Sequence, residues 1–294
     1  MAIETMIYRP ERKDLRPLLI LHSIEFPMPP SASFCDRMLE SGLQVIFVRR
    51  PGYGQTPGLP PILMTQNHID SGAAAVTEAS VINQLILKLG LEDIVFLGVG
   101  SANTIGFRLC GMCPAITHSI FSNPVFNPNT WEVFRPKWFG AVLKQSIVAR
   151  SSLRLASKGV RYFLRRDAIA FFHQMFAKSV TDRAYLSENK IDFLIAARLM
   201  IEANPELMRY ELRLVLRDDP VLRDGLFSSL SVAALSGRET TAIWARELDR
   251  EANRLGLPVI KSKKGGMLVA YTNPDIVIDT IAKLEAAASA RREV

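Results

Sequence analysis

The segment Asp93–Leu109 constrains the fold more than any other part of this chain. Ile94-Val95-Phe96-Leu97 reads as a buried strand, Gly98-Val99-Gly100 as a sharp turn, and Thr104–Leu109 as the start of a helix. A strand that turns a tight corner into a helix belongs to a sheet whose strands are joined by helices. The rest of the chain repeats the alternation, the signature of a mostly parallel sheet with helices on both faces. Strands are expected at Pro17–Ser23, Leu43–Arg50, Thr117–Pro124, Ser231–Ser236 and Leu257–Ser262. Helices are expected at Ser33–Glu40, Ile69–Leu89 and Asp275–Ala288. Between about Phe126 and Asp219 the strand signal vanishes, and the sequence is helix-like and rich in Arg, Leu, Ala and Phe.

At 294 residues the chain is long enough for a large core. No apolar run approaches the ~20 residues needed to span a bilayer. Met1-Ala2-Ile3-Glu4-Thr5 lacks a basic region followed by an apolar stretch, so no secretory signal is expected. Three cysteines, Cys35, Cys110 and Cys113, form no disulfide framework and suit a reducing cytoplasm. Cys110-x-x-Cys113 lacks two further ligands at zinc spacing, so no metal and no cofactor is expected. The net charge of +7 comes with no nucleic-acid motif, and no repeat is visible.

Several segments, in order, resemble the α/β-hydrolase superfamily. Leu19-Ile20-Leu21-His22-Ser23 resembles the H-G stretch that supplies one oxyanion-hole amide. Arg49-Arg50-Pro51-Gly52-Tyr53-Gly54-Gln55-Thr56 resembles the D-R-P-G-Y-G-R-S loop of bacterial members, and is the most specific element. The corner at Gly98–Ala102 is similar to the nucleophile elbow, G-x-S-x-G. Ser236-Gly237-Arg238-Glu239-Thr240 resembles the stretch carrying the catalytic acid, and Lys264-Gly265-Gly266-Met267-Leu268 the one carrying the histidine. The resemblance implies an α/β-hydrolase core over 1–125 and 221–294 with a helical lid inserted at 126–220. That lid would stand above the carboxyl ends of the strands, where open α/β sheets bind ligands.

The same alignment removes the expected chemistry. Gly100 stands at the nucleophile position, Thr240 at the acid with Glu239 one residue short, and Met267 at the histidine. The four histidines, His22, His68, His118 and His173, all precede the segment where this fold places its general base. Losing any one triad member costs orders of magnitude in rate. A register slipped by one residue would make Ser101 the nucleophile, still without a histidine after the last strand. Otherwise Ser101 is a polar first-turn residue satisfying helix amides. Glycine at the corner also relieves the positive φ that an elbow imposes. The N-myc downstream-regulated proteins, a non-hydrolytic branch of the fold, carry a similar G-V-G-x-G run.

The expected pocket is lined by His22, Ser23, Gly100, Ser101, Thr240 and Met267. Over it would lie Trp131, Phe134, Trp138, Phe139 and Phe171, suiting a small, partly apolar carbonyl or acid ligand. Between Arg135 and Arg166 nine basic residues occur with no acidic one. Arg150, Arg154, Lys158, Arg161 and Arg165 fall on one helix face, with Leu153, Ala156, Val160, Phe163 and Leu164 on another. Such a face either is simply solvated or docks an acidic partner or anionic membrane. Three readings follow. The first is a catalytically degenerate, cytoplasmic hydrolase-fold protein that binds a small ligand or a protein partner. The second is an esterase-like enzyme using Ser101. The third is an interaction module acting through the basic lid face.

Overall fold

The computed structural model describes residues 1–126, 138, 150–216 and 219–292. Seven strands form one sheet: β1 (Thr5–Ile7), β2 (Arg16–Leu21), β3 (Leu43–Val48), β4 (Ile94–Val99), β5 (Ile116–Ser122), β6 (Val232–Gly237) and β7 (Val259–Ser262). Their order is β1-β3-β2-β4-β5-β6-β7, with only β1 antiparallel to its neighbour. The chain steps outward from β2 to β3, returns to the other side of β2 as β4, and then proceeds outward to β7. The switch point therefore lies between the carboxyl ends of β2 and β4, where Leu21 pairs with Gly98.

The strands are buried on both faces, and successive residues supply two separate cores. Leu18, Ile20, Val95 and Leu97 face one side, with Phe34 and Met38 of α1 (Ala32–Glu40) and Val277 and Ile281 of the closing helix (274–292). Leu19, Leu21, Ile94 and Phe96 face the other, with Ile82 and Ile86 of a long helix after β3 and Leu248 and Leu255 of one after β6. The helix expected at Ile69–Leu89 is two, α2 (Gln66–Asp70) and α3 (Ala73–Leu89), parted at Ser71-Gly72. The elbow helix is α4 (Asn103–Met112).

Between β5 and β6 the described residues form α5 (Arg150–Met175), α6 (Val180–Glu188), α7 (Lys190–Glu202) and α8 (Pro205–Leu216). The first of these contains a non-helical residue, Asp167. Phe176 from this insertion stacks on Phe26 of the loop after β2, Phe172 lies tilted against Phe26, and both meet Phe193 edge-on. The insertion thus shares the core of the sheet. The last helices are α9 (Ala242–Leu255), α10 (Val269–Thr272) and α11 (Pro274–Arg292). Among the described residues no helix is long and apolar enough to cross a membrane.

Of the basic face, the side chains of Lys158, Arg161 and Arg165 are described. Lys158 and Arg165 are exposed, but Arg161 turns inward and donates to the Ala203 carbonyl. Phe163, placed on the apolar face by spacing, is 57% exposed, whereas Leu164 is buried. The side chains of Arg150, Arg154, Leu153 and Ala156 lie outside the described residues, as do Trp131, Phe134 and Phe139. Trp138 is exposed and Phe171 packs against the core.

Candidate active site

The corner after β4 is an elbow in geometry. Gly100 has φ +53, a short 3-10 turn covers Gly100–Ala102, and α4 begins at Asn103. Asn103 is fully buried, and its Nδ2 donates to the carbonyls of Gly100 (2.7 Å) and Ser122 (3.0 Å), tying the corner to the end of β5. A Cβ on residue 100 would meet Ser23 Cβ at 2.9 Å and Glu25 Oε2 at 3.8 Å. The space a nucleophile would use is thus bordered by Ser23 and by the carboxyl of Glu25. Burial raises Glu25's pKa, opposed by backbone and Ser23 hydrogen bonds and by the Arg50 charge.

Ser101 is buried, and its Oγ accepts the Ile24 amide at 3.0 Å. In the resemblance drawn above, an amide of this loop belongs to the oxyanion hole. Here the chain's own hydroxyl takes it. The only histidine in this region, His22, is fully buried, with both ring nitrogens engaged. Nε2 accepts the Arg50 amide at 3.0 Å, and Nδ1 lies 2.9 Å from the Ser23 carbonyl. Burial, then the charges of Arg50 and Arg49, push its pKa well below the ordinary range, so the ring is neutral. His68 pairs with Thr65, His118 with Ser231, and His173 is exposed on α5.

Beneath this corner lies a buried charge network that sequence reasoning missed. Arg50, fully buried, bridges Glu78 of α3 (Nε to Oε1, 2.7 Å) and Glu211 of α8 (Nη2 to Oε1, 2.6 Å). Tyr210 donates to Glu78 Oε2 at 2.8 Å, and Arg50 Nη1 also donates to the His22 carbonyl. Two carboxyls share one guanidinium, and burial raises Glu211 from 4.5 to about 7. The Arg50 charge opposes that rise, Glu78 adds to it, and a hydrogen bond with Ser101 opposes it again.

A carboxyl with a raised folded pKa favours folding fully below its unfolded value. That stability is lost as pH rises through the folded pKa. Wild type measured against Glu211→Gln should therefore lose relative stability between pH 4.5 and about 7, on the order of 3 kcal/mol at most. His22 works in the opposite sense, losing stability as pH falls below 6.5, and is common to both proteins. Urea denaturation at pH 5 and pH 8 reads the difference. Parallel curves for the two proteins would contradict the buried carboxyl.

The other two triad positions lie together. Thr240 and Met267 line a cavity of about 350 Å³ with Asn123, Phe176, Thr241 and Trp244. Gly100, Ser101, His22 and Ser23 are not among its lining residues. Glu239 also lines the cavity, but its oxygens are taken: Oε2 by Ser179 Oγ (2.6 Å) and the Thr181 amide (3.0 Å), Oε1 by Thr181 Oγ1 (2.7 Å). Against desolvation, these bonds hold its carboxyl below the usual range. Asp182, fully buried in the first turn of α6, grips the loop at the histidine position. Its oxygens accept the Gly266 amide (3.2 Å) and the Met267 amide (2.8 Å). The insertion thus fastens both loops that would carry acid and base.

Cys35, Cys110 and Cys113 are all free thiols. Among the described residues no group of three or more His, Cys, Asp or Glu could hold a metal.

Comparison with solved structures matches this architecture over nearly its whole length. A bromoperoxidase from Bacillus anthracis superposes with TM-score 0.60 at 15% identity, over 97% of this chain and 95% of that one. An enol-lactonase from Burkholderia xenovorans LB400 gives 0.57 at 12%, over 97% and 96%. An esterase from Exiguobacterium antarcticum gives 0.56 at 15%, over 96% and 95%. No protein-family model and no curated protein sequence matches the chain. The sheet order, the elbow and these superpositions establish the α/β-hydrolase fold, with a mostly parallel sheet covered by helices on both faces.

Proposed function

We propose that this chain is a non-hydrolysing, ligand-binding protein built on the α/β-hydrolase fold, at work in a reducing compartment. The observation that carries this reading is the bond from the Ile24 amide to Ser101 Oγ, made beside an elbow glycine that offers no nucleophile. A hydroxyl seated on an amide of the oxyanion loop occupies the place an acyl oxygen would need. Met267 replaces the base, and His22 has no free nitrogen with which to substitute. The ligand site is the cavity at Thr240 and Met267.

One observation favours an enzyme instead. Glu211, raised to about 7 and bonded to Ser101, has the strength of a general base near neutrality. Turnover of p-nitrophenyl esters of increasing chain length separates the two, with wild type beside Ser101→Ala, Glu211→Gln and Gly100→Ser. The expected result is no turnover above buffer in any of them. Wild-type turnover that disappears in both Ser101→Ala and Glu211→Gln would overturn the reading and make Ser101 the nucleophile.

A further inference from the structure

Two helices of the insertion, α5 and α7, lie side by side and run in opposite directions. Phe172 of α5 meets Phe193 near the start of α7, and Arg161 of α5 donates to the Ala203 carbonyl just past the end of α7. Their inner stripes, Leu164, Ala168 and Phe172 on α5 and Phe193, Ala196 and Met200 on α7, are buried. Helical spacing turns other residues outward, and the exposed ones include Tyr162, Arg165 and Arg166 on α5 and Ile191, Leu194 and Ile195 on α7.

This outer surface is too apolar for a helix face that meets only water. Ile191 is 73% exposed, Leu194 50% and Ile195 43%, a full turn of branched aliphatic side chains. Tyr162 and Phe163 are also mostly exposed. Single exposed apolar residues need no account, but a concentration of them on one helix pair marks a surface that something covers.

Basic side chains accompany them. Lys158, Arg165 and Arg166 of α5 and Lys190 of α7 are exposed, and none of the four makes an ion pair among the described residues. The exposed acids of α5 to α7 are Asp167, Glu188 and Glu202. Of these, Glu202 is matched by Arg198 at 2.8 Å, and Asp167 Oδ1 accepts the Ala170 amide. The surface is therefore net positive, with cations left over.

That pairing of chemistries selects the occupant. In a two-fold dimer of this face the same unpaired cations would confront one another. A nucleic acid would answer the charge but leave the aliphatic turn bare. An anionic bilayer answers both, because headgroup phosphates meet the basic side chains while the interface takes up the aliphatic and aromatic ones. No described helix is long and apolar enough to cross a membrane, so the pair would lie along the surface.

We infer that the outer surface of α5 and α7 docks on an anionic lipid bilayer. Ile191, Leu194, Ile195 and Tyr162 enter the interface, and Lys158, Arg165, Arg166 and Lys190 meet the phosphates. This goes beyond ligand binding and is independent of what the cavity at Thr240 and Met267 holds.

Co-sedimentation of the full chain with vesicles reads the partition coefficient. Vesicles of phosphatidylcholine with about a third phosphatidylglycerol are expected to bind about tenfold or more tightly than phosphatidylcholine alone. Raising salt from about 50 mM to about 500 mM should remove most of that difference. Arg165→Glu combined with Arg166→Glu should weaken partition about tenfold or more, since each basic residue near an anionic surface is worth about fivefold. Ile191→Ser combined with Leu194→Ser should weaken it about fivefold or more. All four residues are exposed, so thermal melts should match wild type and lost binding is not lost folding. Leu87→Ser combined with Lys88→Glu, the same chemical change on exposed residues of α3, should leave partition unchanged. The inference is overturned by equal binding to phosphatidylcholine alone, by no binding to either vesicle, or by an α3 variant as weak as the other two. A wild-type dimer that Ile191→Ser with Leu194→Ser converts to monomer would assign the surface to a second copy and overturn it as well.

Discussion

Arg50→Met is expected to be among the most destabilising single substitutions in this chain, at about 3–5 kcal/mol. The methionine fills much of the guanidinium's volume, so packing loss is the smaller part. The larger part is the stranding of Glu78 and Glu211, whose side chains are 2% and 1% exposed. Neither can reach water without opening α3 or α8, and each then faces a like charge without the cation between them. Two consequences distinguish this mechanism from simple cavity formation. The loss should shrink at pH 5, where protonation discharges Glu211, whose folded pKa is about 7. Adding Glu211→Gln to Arg50→Met should also restore part of the stability, because one stranded charge has gone. Urea denaturation of both proteins at pH 5 and pH 8 measures both effects. A loss equal at the two pH values, with no recovery in the double variant, would mean the network is held by packing alone.

Arg50 also shows what the sequence could and could not disclose. Its loop was legible, because Arg-Pro-Gly-Tyr-Gly is a specific string and strand-turn-helix periodicity surrounds it. Its partners were not. Glu211 lies within Arg209-Tyr210-Glu211-Leu212-Arg213, where a lone acid among basic residues reads as a solvated helix face. Only the folded insertion shows that α8 turns Tyr210 and Glu211 toward α3. Arg161 departs from the basic stripe for a related reason. Spacing of 3.6 places Arg161 with Lys158 and Arg165, but cannot foresee the Ala203 carbonyl that draws it inward.

Glu239 was singled out as a carboxylate beside the acid position. It is near the cavity, yet its oxygens serve Ser179 and Thr181, residues some sixty positions away. β1 went unread because three residues are too few to display alternation. Asn123 and Trp244 carry no motif at all. Their one signal is location, after a strand and in the first turn of a helix, and it acquires meaning only when those ends meet.

Gly237→Ala is the second large effect, and it acts on the geometry of the candidate cavity itself. Gly237 ends β6 immediately before Arg238-Glu239-Thr240. A Cβ there would lie 1.9 Å from the Gly265 carbonyl oxygen and 2.5 Å from its carbonyl carbon. Those are backbone atoms, so no rotamer change relieves the contact. The neighbouring loop must move by an ångström or more. That loop is pinned from three directions: Glu239 N–H donates to the Gly265 carbonyl, Arg238 N–H to the Ser262 carbonyl, and Asp182 holds the amides of Gly266 and Met267. Displacing it breaks the first bond and loosens the carboxylate grip of α6, leaving Asp182 buried with fewer donors. The expected cost is about 3 kcal/mol or more, since overpacking against backbone and loss of buried hydrogen bonds add together. Asp182→Asn offers an independent route to the same loop. It keeps the side chain's shape but replaces one acceptor oxygen with a donor facing an amide. Both variants should therefore lower stability through the 265–267 loop, whereas Arg50→Met lowers it through Glu78 and Glu211. A Gly237→Ala protein as stable as wild type would show that the 265–267 loop yields freely and that α6 does not hold it.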